Sequence, residues 1–61
     1  MVVLGLYPLL NQDMNVYICY ENDYVVYSGN IYNCPIGIME KRVIEIAPLD
    51  KKAITIYIEQ D

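Results

Sequence analysis

Residues 43–59, VIEIAPLDKKAITIYIE, decide the fold. Apolar and polar side chains alternate in residues 43–47 and again in residues 53–59, which is the period of a strand with one buried face. β-branched side chains favour such a pleated, half-buried surface. The polar residues 48–52 between the two runs begin with a proline and predict a turn, so we expect an antiparallel hairpin. Its buried face should hold Ile44, Ile46, Ile54, Ile56 and Ile58, and its other face Val43, Glu45, Thr55, Tyr57 and Glu59.

A second hairpin is predicted upstream. Residues 16–20 (VYICY) and 24–27 (YVVY) resemble strands, and the polar residues 21–23 between them predict a turn. Residues 29–30 should end or bulge the second strand, with residues 31–32 continuing it. Nearly every position in both runs is apolar or tyrosine, so both faces should be covered. One cover is the core, and the other is a helix of this chain or a second subunit.

Residues 33–42, NCPIGIMEKR, connect the hairpins and predict a short helix. Pro35 suits the first helical position, with Asn33 or Cys34 as the cap. We expect one or two helical turns within residues 35–41.

The N-terminal segment, residues 1–7, fits two structures. It suits a strand, but Val3, Leu6, Tyr7 and Leu10 also have helical spacing. Gly5 and Pro8 argue against a long helix.

Together these elements predict one α+β domain, mainly β, over residues 1–61. Two antiparallel hairpins, at about residues 15–31 and 43–59, should form a small four-stranded sheet or an open barrel. One short helical connector joins them, and the N-terminal segment covers one face or pairs at an edge.

The composition indicates that the domain associates. Hydrophobic residues make up 56% of the 61, above the usual share of about 45–50%. A domain of this size buries only about 60% of the surface that its unfolded chain exposes. Part of the apolar surplus should therefore be covered by a partner, and we predict a homodimer or an obligate complex.

The seven tyrosines, with no Phe or Trp, indicate where this partner binds. A tyrosine combines a large ring with a polar tip, which suits an interface. The predicted interface is the first hairpin with its flank: Tyr17, Tyr20, Tyr24, Val25, Tyr27 and Tyr32.

The net charge argues against nucleic acid as a partner, and the short apolar start argues against a membrane span. Eight acidic residues face four basic ones, a net charge of −4, so we expect no nucleic-acid binding. Residues 1–10 are too few to span a bilayer, which needs about 20 apolar residues. They also lack the positive region and cleavage site of a signal peptide. We expect a cytoplasmic protein without a membrane span.

No catalytic, cofactor or metal site is predicted. The chain has no His, so the common proton shuttle is missing, and Cys19 and Cys34 lack a His base or co-ligand for zinc. Both thiols should be buried structural groups in a reducing cytoplasm. Two alternatives stay open: a disulfide, which needs Cα atoms within about 7 Å, and a reactive Cys34 at a helix N-terminus.

The order of the elements resembles that of a group of small viral proteins. It runs from LLNQD (9–13) through VYI (16–18), YVVYSG (24–29), a connector with Pro35 and RVIEI (42–46) to ITIYI (54–58). Over nearly its whole length the chain resembles the very small β-rich proteins encoded by phages and prophages of low-GC Gram-positive bacteria. The resemblance implies a helical leucine-rich start and a phage setting. Some such proteins block a bacterial defence system by binding a host protein, and the resemblance implies the same role for this chain.

Two functions are therefore expected. The first is a non-enzymatic protein-binding module, specifically a phage-encoded inhibitor of a bacterial defence system in the host cytoplasm. The alternative is a structural or assembly subunit of a phage or other homo-oligomeric particle. A cysteine-dependent enzyme is a third, which requires an activated Cys34 thiol.

Overall fold

Four strands form one mixed sheet in the computed structural model, which describes residues 1–11 and 13–60. Strands β1 (Asn15–Tyr20) and β2 (Val25–Gly29) form one antiparallel pair. Strands β3 (Val43–Asp50) and β4 (Ala53–Ile58) form the other. The two pairs join through β1 and β4, which run parallel, so the order across the sheet is β2-β1-β4-β3.

The prediction of two hairpins in a four-stranded, mainly β sheet is right in part. Both antiparallel pairs form, but the sheet as a whole is mixed because its two central strands are parallel. The open-barrel alternative is wrong, since β2 and β3 lie at opposite edges and do not close the sheet. A parallel junction needs a crossover connection, and the segment between β2 and β3 provides it.

Three short helical segments cover one face of the sheet. They are a 3₁₀ helix (Val3–Leu9), a second 3₁₀ helix (Ile31–Asn33) and the single-turn helix α1 (Ile36–Met39). Their apolar side chains pack against alternate residues of the central strands. The resulting core contains Val3, Leu6, Val16, Ile18, Ile31, Met39, Ile56 and Ile58, all of them buried. Each large aliphatic side chain buried in this way contributes about 1.5–3 kcal/mol.

The N-terminal segment is helical from Val3 onward, whereas Val2 forms an isolated antiparallel bridge with Arg42. Val3 and Leu6 are buried, and their separation of three residues matches the three-residue turn of a 3₁₀ helix. The segment is held beside the start of β3, since the Val3 amide donates to the Lys41 carbonyl at 3.0 Å. The Val43 amide likewise donates to the Met1 carbonyl at 2.8 Å.

The end of β2 differs from the prediction that residues 31–32 continue the strand. The strand ends at Gly29, whose φ of 130° lies in the region that favours glycine. Ile31–Asn33 then forms a 3₁₀ turn, because the Asn30 Oδ1 accepts a hydrogen bond from the Tyr32 amide at 2.8 Å. This turn brings Ile31 into the core.

A short helix in the connector is confirmed, but the predicted cap is wrong. Helix α1 begins at Ile36, and Pro35, rather than Asn33 or Cys34, occupies the capping position. The Pro35 carbonyl accepts from the Ile38 amide at 3.0 Å and from the Met39 amide at 3.1 Å. Pro35 can take this place because a cap contributes its carbonyl and needs no amide hydrogen.

Strand β3 begins at Val43 as predicted but ends later than predicted. It extends through Pro48 to Asp50, so the turn is only residues 51–52. Pro48 is tolerated because β3 is an edge strand, where one side of the backbone needs no partner. The predicted turn over residues 48–52 is therefore wrong in its first half.

The prediction that five isoleucines share one buried face is correct only for the three in β4. The register between β3 and β4 shifts by one residue between Val43 and Glu45, so Ile44 is an extra residue in β3. Ile44 then lies on the same side as Glu45 and is 43% exposed. Ile46 pairs with Ile56 on the core side but is 40% exposed, because β3 is an edge strand of the sheet.

Candidate binding surface

The face of the sheet opposite the helical segments has no second layer among the described residues. Strand pairing places Tyr17 beside Thr55 and Cys19 beside Tyr57 in the two central strands of this face. The helical segments contribute their buried side chains to the core on the other side. We call this surface the open face; it consists of Tyr17, Cys19, Val25, Ser28, Ile44, Glu45, Ala47, Thr55 and Tyr57.

The centre of the open face is buried although none of the described residues forms a second layer over it. Cys19 is 5% exposed and Thr55 is 8% exposed. Both have short side chains in the central strands, where the larger neighbouring side chains of the same face shield them. The rings of Tyr17 and Tyr57 remain half-exposed. The accessible surface around the buried Cys19 and Thr55 side chains is therefore formed largely by tyrosine rings.

A cleft of about 300 Å³ lies at one end of the open face. Its lining combines three carboxylates with apolar side chains: Glu21, Asp23, Ile44, Glu45, Ala47 and Tyr57. Because the extra residue in β3 turns Ile44 toward this side, an aliphatic wall stands beside the acidic groups. The cleft therefore combines acidic and apolar groups in one lining.

The β1–β2 turn positions the acidic groups of the cleft. Asp23 has a φ of 68°, a left-handed conformation that Asp adopts more readily than most residues. Its amide donates to the Tyr20 carbonyl at 2.9 Å, and the Asn22 Oδ1 accepts from the Tyr24 amide at 3.1 Å. The Tyr57 hydroxyl donates to the Asp23 Oδ1 at 3.1 Å. This last contact ties the turn to β4 across the open face.

Two weak acids of the open face, the Tyr57 hydroxyl and the Cys19 thiol, have a raised pKa. The hydrogen bond to Asp23, followed by the charge of that carboxylate, raises the pKa of the Tyr57 hydroxyl. Burial, and then the charge of Asp23, raises the pKa of the Cys19 thiol. Among residues 1–11 and 13–60, none of the carboxylates of Glu21, Asp23 and Glu45 takes part in a salt bridge. The cleft is therefore acidic and is not neutralised by the described residues.

The two cysteines lie on opposite sides of the sheet, and both are free thiols. Cys19 belongs to the open face, whereas Cys34 packs against the core. Burial raises the pKa of the Cys34 thiol, the direction opposite to activation. The arrangement fits the expectation of structural cysteines, and the disulfide that the sequence left open as an alternative is not formed.

Two of the six predicted interface residues lie on the open face. Tyr17 and Val25 face the same side as Cys19. Tyr20 lies on the core side of β1 and stacks on Tyr24, with ring centroids 6.1 Å apart. Tyr24 is exposed at the turn.

Tyr27 and Tyr32, the last two of the six predicted interface residues, make contacts within the chain. Tyr27 packs against the core, and its hydroxyl donates to the Asn30 carbonyl. Tyr32 lies beside the first 3₁₀ helix, where its hydroxyl donates to the Leu10 carbonyl at 2.8 Å. Its ring meets the ring of Tyr7 edge to face at 4.6 Å. The six residues therefore do not form one continuous surface.

Sequence reasoning found part of the open face and missed its cleft. Thr55, Tyr57 and Glu45 lie on the non-core side, as alternation predicted. The cleft was missed because residues 21–23 were interpreted only as a polar turn. Its contact with Tyr57 joins residues 34 apart in the chain, and no local pattern signals such a contact.

Other classes of site receive no structural indication within the described ranges. No group of three or more His, Cys, Asp or Glu residues there is placed to hold a metal ion. No helix in residues 1–11 and 13–60 has the length and apolarity that crossing a membrane requires. Comparison with models of known protein families, with curated proteins and with solved structures found no match to this chain.

Proposed function

We propose that this chain is a non-enzymatic protein-binding module and that the open face is its binding surface. The observation that supports this most directly is the contrast between the two faces of one sheet. Helical segments cover one face, whereas the other presents aliphatic side chains and tyrosine rings next to an acidic cleft. A contiguous surface with apolar and aromatic groups and a polar rim is typical of a protein–protein interface.

The state of the ionisable groups supports binding rather than catalysis. Both thiols have a raised pKa, so neither Cys19 nor Cys34 resembles an activated nucleophile. The carboxylates of the cleft are spread around its lining rather than brought to one point. Such groups suit recognition of a basic side chain more than proton transfer.

Two exposed isoleucines provide a matched test of this proposal. Ile44 belongs to the open face and is 43% exposed, whereas Ile36 belongs to α1 and is 66% exposed. Tagged wild-type protein, Ile44→Lys and Ile36→Lys are used to capture partners from a lysate of the encoding organism. The wild type and Ile36→Lys should retain the same partner, and Ile44→Lys should lose it. Equal retention by both variants would show that the open face is not the binding surface.

The narrower role, a phage-encoded inhibitor of a bacterial defence system acting in the host cytoplasm, rests on the resemblance described above. The acidic character of the cleft and the free thiols suit it, since unpaired cysteines persist in a reducing compartment. Its test is expression in bacteria that carry defined defence systems. Restored phage growth that depends on Ile44 but not on Ile36 is the expected result. Failure to restore growth in every such strain would argue against the inhibitor and would leave the binding module standing.

The alternative role, a structural subunit that polymerises, has less support from the sheet edges. Addition of strands needs a regular edge with free backbone groups. Pro48 interrupts β3, and the register of this strand shifts at two places. Strand β2 is only five residues long and ends at Gly29. Both edges are therefore poorly suited to extend the sheet from one subunit to the next.

A further inference from the structure

We propose that the chain on the open face is a second copy of this protein, packed face to face with its strands antiparallel to those of the first. This inference rests on the proposed function, that the open face binds protein. Three features support it: the size of the face, the distribution of charge along the strands and the tyrosines at its centre.

The size of the molecule sets an upper limit on the area of the contact. The molecule measures 28 × 21 × 17 Å, so its broadest cross-section covers about 590 Å². Two faces of this area would bury at most about 1,200 Å² in total, the lower limit of specific interfaces. An interface of this size is small for a specific complex, so the dimer should form reversibly. The half-exposed rings of Tyr17 and Tyr57 provide the rigid aromatic contacts at its centre.

Opposite charges lie at opposite ends of the strands. The acidic cleft is near the β1–β2 turn, which follows Tyr20. The basic pair Lys51-Lys52 forms the β3–β4 turn at the other end, where the Asn15 amide donates to the Lys52 carbonyl at 2.7 Å. Five residue steps along β1 separate the two ends by roughly 17 Å.

The lysine side chains of this turn remain available for a partner. Within the described residues neither ammonium group takes part in a salt bridge. Asp50 lies at the same turn, but its Oδ1 accepts a hydrogen bond from the Lys52 amide at 2.7 Å. The Asp50 carboxylate therefore caps the turn and offsets one lysine, so residues 50–52 keep a net charge of +1.

This distribution selects one of two symmetric arrangements. A two-fold axis that lies in the face and parallel to the strands would bring the cleft of one copy near the cleft of the other. An axis in the face and perpendicular to the strands instead brings the lysine turn of each copy toward the cleft of its partner. Only the second arrangement pairs opposite charges, and its symmetry repeats the contact twice.

Charge reversal tests the arrangement, with association measured by sedimentation equilibrium. One variant is K51E/K52E, and the other is E21K/E45K; all four side chains are exposed, so both variants should fold. The wild type should form a dimer, and each variant alone should associate about ten-fold more weakly. An equimolar mixture should recover wild-type affinity as a heterodimer, because opposite charges then meet at both ends.

The second variant separates this arrangement from a general effect of net charge. E21K/E45K changes the net charge from −4 to 0, so a net-charge effect would make it associate more strongly than the wild type. The proposed arrangement predicts that it associates more weakly. A wild type that stays monomeric up to millimolar concentration, a strongly associating E21K/E45K or a mixture without heterodimer would each overturn the proposal.

The experiments distinguish failure of the second-copy proposal from failure of the proposed function. If the wild type is monomeric and Ile44→Lys still loses a captured protein, the open face binds a different chain, and only the second-copy proposal fails. If Ile44→Lys changes neither self-association nor capture, both proposals fail.

Discussion

Replacing Ile56 and Ile44 in turn by alanine compares the two faces of the sheet through their contributions to stability. Ile56 is fully buried in β4, between the helical layer and its neighbours in the sheet. Truncating a buried isoleucine to alanine costs about 2–5 kcal/mol, because transfer energy is lost and a cavity remains. A domain of 61 residues has a total stability of about 3–9 kcal/mol. Ile56→Ala should therefore remove much of the free energy of unfolding.

Ile44→Ala should behave differently although the residue type is the same. Ile44 is 43% exposed at the rim of an open cleft, so no closed cavity forms when it is shortened. The expected loss is about 1 kcal/mol or less. The sequence pattern alone placed both isoleucines on one buried face, and this comparison separates that expectation from the structure.

Urea unfolding followed by far-UV circular dichroism provides the measurement. With an m-value of about 1 kcal/mol/M for so small a chain, a loss of 2 kcal/mol lowers the midpoint by about 2 M. The protein should be dilute, so that association does not contribute to stability. If Ile56→Ala proves unfolded, Ile56→Val and Ile44→Val repeat the comparison with a loss of about 0.5–1.5 kcal/mol at the buried site. Equal losses at the two positions would refute the assignment of Ile44 to the open face.

Three further outcomes are expected. The raised pKa of Tyr57 means that its hydrogen bond stabilises the fold fully below the ordinary tyrosine pKa of 10.0. This stability should be lost as the pH rises through the folded pKa, and Tyr57→Phe should weaken the pH dependence in alkaline thermal melts. Cys19 and Cys34 should react slowly with a thiol reagent at neutral pH and rapidly once urea unfolds the chain; fast reaction in the native state would contradict their raised pKa values. Tyr17→Ser should weaken self-association with little loss of stability, whereas Tyr27→Ser should destabilise the monomer, because Tyr27 packs against the core. The reverse order in sedimentation and melting experiments would show that these two roles are exchanged.

Local patterns predicted those parts of the fold that local chemistry determines. The alternation in β4 placed Ile54, Ile56 and Ile58 on the core side, and Tyr57 on the other. Pro35 indicated where the single helical turn would begin. In each case the controlling interaction lies within a few residues of the signal.

Features that depend on distant partners were not predictable in this way. Residues 43–47 alternate without interruption, and only pairing with β4 reveals the extra residue at Ile44. Tyr17 and Tyr27 are both tyrosines and lie in the same hairpin. Their different roles follow from where Asn30 and the helical layer lie after folding. The cleft likewise requires the turn at Asp23 and Tyr57 to meet across the sheet.

The parallel junction of β1 and β4 also constrains the order in which the chain folds. Every residue pair in this junction is separated by 38 positions, whereas each antiparallel hairpin pairs residues close together in sequence. Contacts between distant positions form slowly, because a long loop must close before they contribute. The β1–β2 hairpin can form early in synthesis, whereas the β3–β4 hairpin and the centre of the sheet both need the residues of β4. We therefore expect the joining of two preformed hairpins to limit the folding rate, and mutations at the junction to slow folding more than mutations at either edge.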